Sequence, residues 1–185
     1  MPPITVVIAA HDKARRAACL RLLQTEKGIR VLGQARSGLE VLASARLKPR
    51  VLLLDLDLSR GGGSALLPAL RRKSPGTKVI LVAGRASQAR ILEALSHGAR
   101  GYLEQKVLRT FLPKAVRTVD AGLAWVPRKM VPNIVNRLAR LAAPAREVNE
   151  SPSRRRARAL LGDSPPSPGP TSSPPRGSPP TRSRR

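Results

Sequence analysis

Aromatic residues are nearly absent from this 185-residue chain: one tryptophan, one tyrosine and one phenylalanine make up 2%. Any core must therefore be built from Leu, Val, Ile and Ala, which the 41% hydrophobic content can supply. The single Cys19 excludes an internal disulfide and points to a reducing compartment. With Leu20, Leu22 and Leu23 beside it, it reads as a small apolar residue on a buried helix face rather than a reactive thiol. No run approaches the roughly 20 apolar residues of a membrane span, and Met1-Pro2-Pro3 lacks the basic start and apolar stretch of a signal peptide. A cytoplasmic protein without a membrane partner is expected. Catalytic constellations are missing too. There are two histidines, no nucleophile elbow, no glycine-rich phosphate fingerprint after the first strand and no cluster of metal ligands. Gly61-Gly62-Gly63 follows a strand but lacks the Lys-Ser/Thr ending of a phosphate loop. An enzyme is not expected.

Acidic residues are scarce as well, 11 against 35 Lys and Arg, giving a formal net charge of +24. Such a chain is attracted to polyanions in general, nucleic acid and anionic lipid included. The competing explanation is compositional, since GC-rich coding inflates Arg, Ala, Pro and Gly without any binding role.

What is present is a regular alternation of apolar runs and helical patterns. Val51 to Leu54 is a run of four aliphatic residues that reads as a strand buried on both faces, ending in Asp55 and a glycine-rich turn. Ile4–Ala9, Ile29–Gly33, Lys78–Val82 and Arg100–Leu103 are four further strands. Between them lie helical patterns opening at Asp12, at Ser37 (with Glu40 three later, a capping box), at Ser64, at Ser87 and at Leu108. Pro68 fits best if the regular helix begins near it. Five strands alternating with five helices argue for an α/β doubly wound parallel sheet with helices on both faces. The usual order for five strands, 2-1-3-4-5, sets the first and third strands side by side at the switch point. Asp55 then lies at the mouth of the ligand crevice with Ala10 and His11 beside it. An aspartate that merely caps the following turn would sit there equally well.

Residues 1–122 form this unit. Residues 123–143 are expected to be a linker with an amphipathic helix, in which Met130, Ile134, Leu138 and Leu141 recur at helical spacing. From 144 to 185 the chain turns to Ser, Pro and Arg with little aliphatic content, too little buried surface to offset ordering entropy, and a disordered tail is expected.

The segments Ile4-Thr5-Val6-Val7-Ile8-Ala9, Val51-Leu52-Leu53-Leu54-Asp55-Leu56, Ser74-Pro75-Gly76-Thr77-Lys78-Val79-Ile80 and Gly98-Ala99-Arg100-Gly101-Tyr102-Leu103 carry a likeness. Over about two thirds of its length, the chain resembles a response-regulator receiver domain of the NarL/FixJ (LuxR) type. The last segment is the most specific of the four, and Trp125-Val126-Pro127 extends the likeness into the linker. The fold this implies is the flavodoxin-like receiver. The activity it implies is acceptance of a phosphoryl group from a histidine kinase, assisted by Mg²⁺, in a two-component phosphorelay that regulates transcription.

Carried over residue by residue, the resemblance leaves only the phosphoacceptor, Asp55. The family's acidic pair falls on Ala10 and His11, its hydroxyl on Ala83 and its lysine on Gln105. One carboxylate is a poor site for a hard dication that demands an octahedron of oxygens. Asp12 is better read as a helix N-cap than as a substitute ligand, and Asp57 as a solvated loop residue and weak ligand at best. Lys106 could only reach back from the position after Gln105. A degenerate receiver is therefore expected, acting through protein contacts with a kinase, a partner regulator or a second copy. The resemblance places such contacts on the fourth and fifth helices with the strand between them, and gives Tyr102 the role of a switch residue. A half-buried structural tyrosine is the bland alternative there, and His97 reads as a helix C-terminal residue.

The helix-turn-helix that would follow in such a regulator has no counterpart after Ala143. A frameshifted or truncated reading frame accounts for this. So does a genuine basic arm in which Arg154, Arg155, Arg156 and Arg158, with Arg182, Arg184 and Arg185, hold DNA phosphates nonspecifically. That arm would make the chain a basic nucleic-acid-associated protein, the second functional reading.

Overall fold

In a computed structural model of the chain, residues 2–58 and 62–142 are described. The tail with its arginine clusters lies outside them. The apolar runs form five strands: β1 (Ile4–Ala9), β2 (Ile29–Ala35), β3 (Val51–Asp55), β4 (Lys78–Ala83) and β5 (Gly101–Glu104). They pair in parallel in the order 2-1-3-4-5. The doubly wound receiver fold expected from the alternation is the one observed.

Six helices surround the sheet: α1 (Lys13–Gln24), α2 (Gly38–Ser44), α3 (Leu67–Lys73), α4 (Gln88–Ser96), α5 (Leu108–Asp120) and α6 (Val131–Ala142). Their starts follow capping chemistry. The Asp12, Ser37 and Ser87 side chains accept from the backbone N–H groups of Ala14, Glu40 and Arg90. The Ser37 box closes one residue early, because Glu40 accepts from the Arg36 N–H at 3.0 Å and from the Arg36 side chain. A short 3-10 turn over Gly63–Leu66 precedes α3, so Pro68 falls in the first turn of the regular helix, where its missing N–H costs no hydrogen bond.

Side-chain alternation along the strands builds two apolar layers. Val6, Ile8, Val51, Leu53, Ile80, Val82 and Leu103 pack on α1 and α5. Val7, Ala9, Leu52, Leu54, Leu81, Ala83 and Tyr102 pack on α2, α3 and α4. β3 is central and wholly buried, so its last residue is held rigidly at the carboxyl edge of the sheet.

Beyond α5 the chain returns to the sheet. The Tyr102 N–H donates to the Trp125 carbonyl at 2.8 Å, and the Trp125 N–H to the Arg100 carbonyl at 3.0 Å. A Cβ at Gly101 would lie 3.2 Å from the Trp125 carbonyl oxygen, so glycine there admits this close approach. Gly63 is tighter still, with a Cβ only 2.3 Å from the Asp55 carbonyl oxygen. Gly63→Ala must displace either the turn or the strand end, and should lower unfolding free energy by about 1–3 kcal/mol in urea titration.

Candidate functional site

Asp55 is 3% exposed, and its place in the ladder opposite Val82 sets it between the ends of β1 and β4. Its Oδ1 accepts from the Asp57 N–H at 3.1 Å, a local turn bond. Its Oδ2 accepts from Nη1 of Arg15, in the first turn of α1. The same guanidinium donates through Nη2 to Gln105 Oε1 at 3.0 Å. One arginine, with 15% of its side chain exposed, thus links α1, the end of β3 and the segment after β5. Its Nε is buried and has no partner among the described residues.

This placement runs against local preference. Cations in the first turn of a helix face the positive end of its dipole, and α1 has no acidic residue in that turn. Arg15 offsets the cost with Asp55. Arg16 does so with backbone oxygens, donating to the Ala10 and His11 carbonyls at 2.6 and 2.7 Å.

The residues singled out from the sequence do converge. Ala10 and Ala83 are buried at the ends of β1 and β4, and His11 is exposed. Gln105 reaches over the loop after β4, with its Oε1 3.4 Å from where a Cβ on Gly84 would lie. Asp57 is an exposed loop residue, and Arg90 of α4 donates to its Oδ1 at 3.1 Å and to the Leu56 carbonyl at 3.3 Å. Lys106 is engaged elsewhere, its ammonium pairing with Glu104 at 2.6 Å. That hydrogen bond, more than the nearby charges, holds the Glu104 carboxyl below the usual range. Among the described residues no group of three or more His, Cys, Asp or Glu could hold a metal ion, and no helix is long and apolar enough to cross a membrane.

The Response regulator receiver domain family matches residues 6–117, more than half of the chain. The chain belongs to that family. It is a receiver domain of the two-component kind, homologous to transcriptional regulators. It is 34% identical over 148 residues to response regulator GacA of Pseudomonas viridiflava, covering 80% of this chain and 66% of that one. It is 28% identical over 134 residues to transcriptional regulatory protein LnrK of Bacillus subtilis, 72% and 61% covered. Among solved structures, the signal receiver domain of the response regulator NarL from Mycobacterium tuberculosis superposes with a TM-score of 0.62 at 28% identity. That match covers 66% of this chain and 99% of the other. The chain spans about 61–66% of the length of these curated relatives.

Within the receiver, the surface around α4 and β5 is partly occupied by the chain itself. Met130 is 1% exposed and joins the core cluster that contains Tyr102, Ile91 and Ala94, with Ile134 of α6 packed against it. Asn133 donates to Gln88 Oε1 at 2.8 Å, and Lys129 lies 3.6 Å from Glu104. Tyr102 is consequently buried, at 2% exposure, rather than half-buried, and burial raises its hydroxyl above the ordinary tyrosine value. His97 caps the C-terminus of α4, as expected.

Cys19 faces the core from α1, and burial pushes its thiol up to about 11, opposed by Arg15 and reinforced by Asp55. At pH 8 the folded chain should react with iodoacetamide far more slowly than the urea-unfolded chain, since only thiolate attacks. For the central pair, Arg15→Ala leaves a buried carboxylate without its counter-ion and should cost about 3–5 kcal/mol. Asp55→Leu combined with Arg15→Met should lie close to wild type. A double-mutant cycle read by chemical denaturation measures the coupling.

Proposed function

We propose that this chain is a degenerate receiver, a signalling module in which residues 1–122 keep the fold but act through protein contacts rather than through Mg²⁺-dependent phosphorylation of Asp55. In this reading residues 123–143 are the linker and 144–185 a basic tail. The partners are a histidine kinase, a partner regulator or a second copy, and the process served is the transcriptional control its relatives' names describe.

The observation that carries the reading is the guanidinium of Arg15 on the acceptor carboxylate. In-line phosphoryl transfer needs a free carboxylate oxygen aimed at phosphorus and cations that neutralise the equatorial oxygens as charge develops. Here Oδ2 is taken by Arg15 and Oδ1 by the Asp57 N–H. The donor set does not fit Mg²⁺ either. A six-coordinate dication prefers hard oxygens, and a guanidinium is already in contact with the one buried carboxylate. Ala10 and His11 offer no acid beside it, and Asp57 is engaged by Arg90. Ala83 has no hydroxyl to hold a phosphoryl oxygen, and Gln105 has no charge to stabilise one.

The loss of a pocket-driven switch draws further support from the way this linker is folded back. Trp125 pairs with β5, and Met130 seals Tyr102, so side chains that would otherwise report on the state of the pocket are fixed by the linker.

The test is incubation of the full chain with acetyl phosphate and Mg²⁺ followed by intact-mass measurement. The mass should stay that of the unmodified chain. Stoichiometric phosphorylation that is lost in Asp55→Ala would overturn the proposal.

A further inference from the structure

The chain after α5 covers only part of the β5 edge. The parallel bridge between Gly101 and Trp125 uses the Arg100 carbonyl and the Tyr102 N–H, at 3.0 and 2.8 Å. Continued along the strand, that pairing would set residue 127 opposite Leu103. The residue there is Pro127, which has no N–H to give, and the chain leaves the edge for the 3-10 turn Arg128–Met130. Backbone groups along a strand alternate in direction, so the next outward pair on β5 is the Tyr102 carbonyl and the Glu104 N–H. No turn, loop or side-chain hydrogen bond among the described residues reaches either one.

This uncovered stretch opens onto a hollow of about 350 Å³ between the linker and the start of α5. The Tyr102 and Leu103 side chains are buried in the core, so the walls that meet solvent are Val107 and Phe111 on one side and Trp125, Val126 and Pro127 on the other. The Phe111 and Trp125 rings lie 6.0 Å apart, tilted by 45°. The ordinary explanation is that this pair anchors the linker to α5. Anchoring alone leaves unexplained why Phe111 stays 38% exposed beside four half-buried apolar neighbours. An apolar patch of that continuity is the kind that partners cover. At the rim, the Glu104 carboxylate stands between two ammoniums, Lys106 at 2.6 Å and Lys129 at 3.6 Å. Both lysines are exposed and hydrated and need no counter-ion. Their excess sets only the sign of charge that sits beside the hollow without repulsion.

Charge and backbone chemistry choose the occupant. Residues 144–185 are rich in Pro, which cannot donate to a ladder, and in Arg, which the two lysines oppose. A second copy across a two-fold axis would set the same lysines against each other. An extended segment of another chain meets neither obstacle, and adding a strand to an open edge is an established way to hold one. We infer that the β5 edge beyond Trp125 docks an extended, acidic segment of a partner protein. The segment donates to the Tyr102 carbonyl, accepts from the Glu104 N–H and places one aliphatic side chain between Phe111 and Val126. This rests on the contact role proposed above and gives it a place. Binding is measured on the unphosphorylated chain, so its failure leaves the phosphorylation result standing, and the reverse.

The probe is the acetylated and amidated peptide EEVTVTEE, titrated into the full chain and followed by the emission of Trp125, the only tryptophan. The emission should change saturably. The lysine counterpart KKVTVTKK reverses the charge, and a form of the acidic peptide methylated on its central amide nitrogens removes the strand's donors. Each should bind at least about tenfold more weakly. Phe111→Ala should weaken the acidic peptide by about fivefold or more. Leu39→Ala, which trims an 83% exposed side chain on α2, should leave it within about twofold. Thermal unfolding checks that both variants are folded, and the peptide controls need no variant at all. No saturable change, equal binding of the lysine or the methylated peptide, or unchanged affinity in Phe111→Ala would each overturn the inference. So would a dimer in sedimentation that Phe111→Ala dissociates, because the hollow would then belong to a second copy.

Discussion

Asp55 ends a strand whose other four residues are buried Val and Leu, and a carboxylate at that depth is tolerated only with its charge matched and its lone pairs filled. Arg15 supplies the match. Because the guanidinium also binds Gln105, one side chain fixes the approach of α1 to the sheet and the path of the chain after β5. The neighbouring turn is constrained from the other side, where Gly63 leaves no room for a Cβ against the Asp55 carbonyl. Arg90, on Asp57 and the Leu56 carbonyl, ties the same loop to α4. The top of the sheet is therefore held together by charges, whereas its interior is held by aliphatic packing alone.

The far edge of the sheet solves a different problem. β5 is a four-residue edge strand, and an open edge presents unpaired N–H and carbonyl groups to any passing strand. The Trp125 backbone takes up the Tyr102 N–H and gives its own N–H to Arg100. Gly101 is what lets the two backbones come together. The segment after α5 thus closes the sheet edge there, and Met130 follows it into the core.

Much of this arrangement could be read from residue order. The aliphatic runs named the strands, their number and alternation gave the sheet order, and Asp12, Ser37 and Ser87 marked helix starts through their side-chain chemistry. Of the positions located by a resemblance, Ala10 and Ala83 stand at the ends of strands that flank Asp55 and Gln105 joins it through Arg15, whereas His11 is exposed. The counter-ion was not read. Arg15 is 40 residues from Asp55 and 90 from Gln105, and in a chain with 35 basic residues one more arginine carries no signal. A physical clue was nonetheless present: Lys13, Arg15 and Arg16 crowd the first turn of α1 with only the Asp12 cap to oppose them, and cations at the positive end of a dipole ask for a partner. Residues 1–142 hold 26 of the 35 basic residues and only 8 of the 11 acidic ones. Six of those eight carboxylates are spent in ion pairs, so the described residues carry a large positive excess of their own.

The difference between a diffusing cation and a tethered one decides what such a pocket can do. A ligand shifts a conformational equilibrium only through its differential affinity for the two states, and only because its concentration or chemical form can change. A guanidinium on α1 has no concentration to vary. It is present at the carboxylate in every molecule, and it brings its own donors rather than vacant coordination positions. On the proposed reading, neutralising Asp55 from within removes the input that would toggle the fold and leaves a receiver with a single arrangement of its upper loops. Any signal it carries must then enter from outside the pocket, through the surfaces it presents to partners or through the amount of protein made, because the charge that would have registered phosphorylation is already balanced.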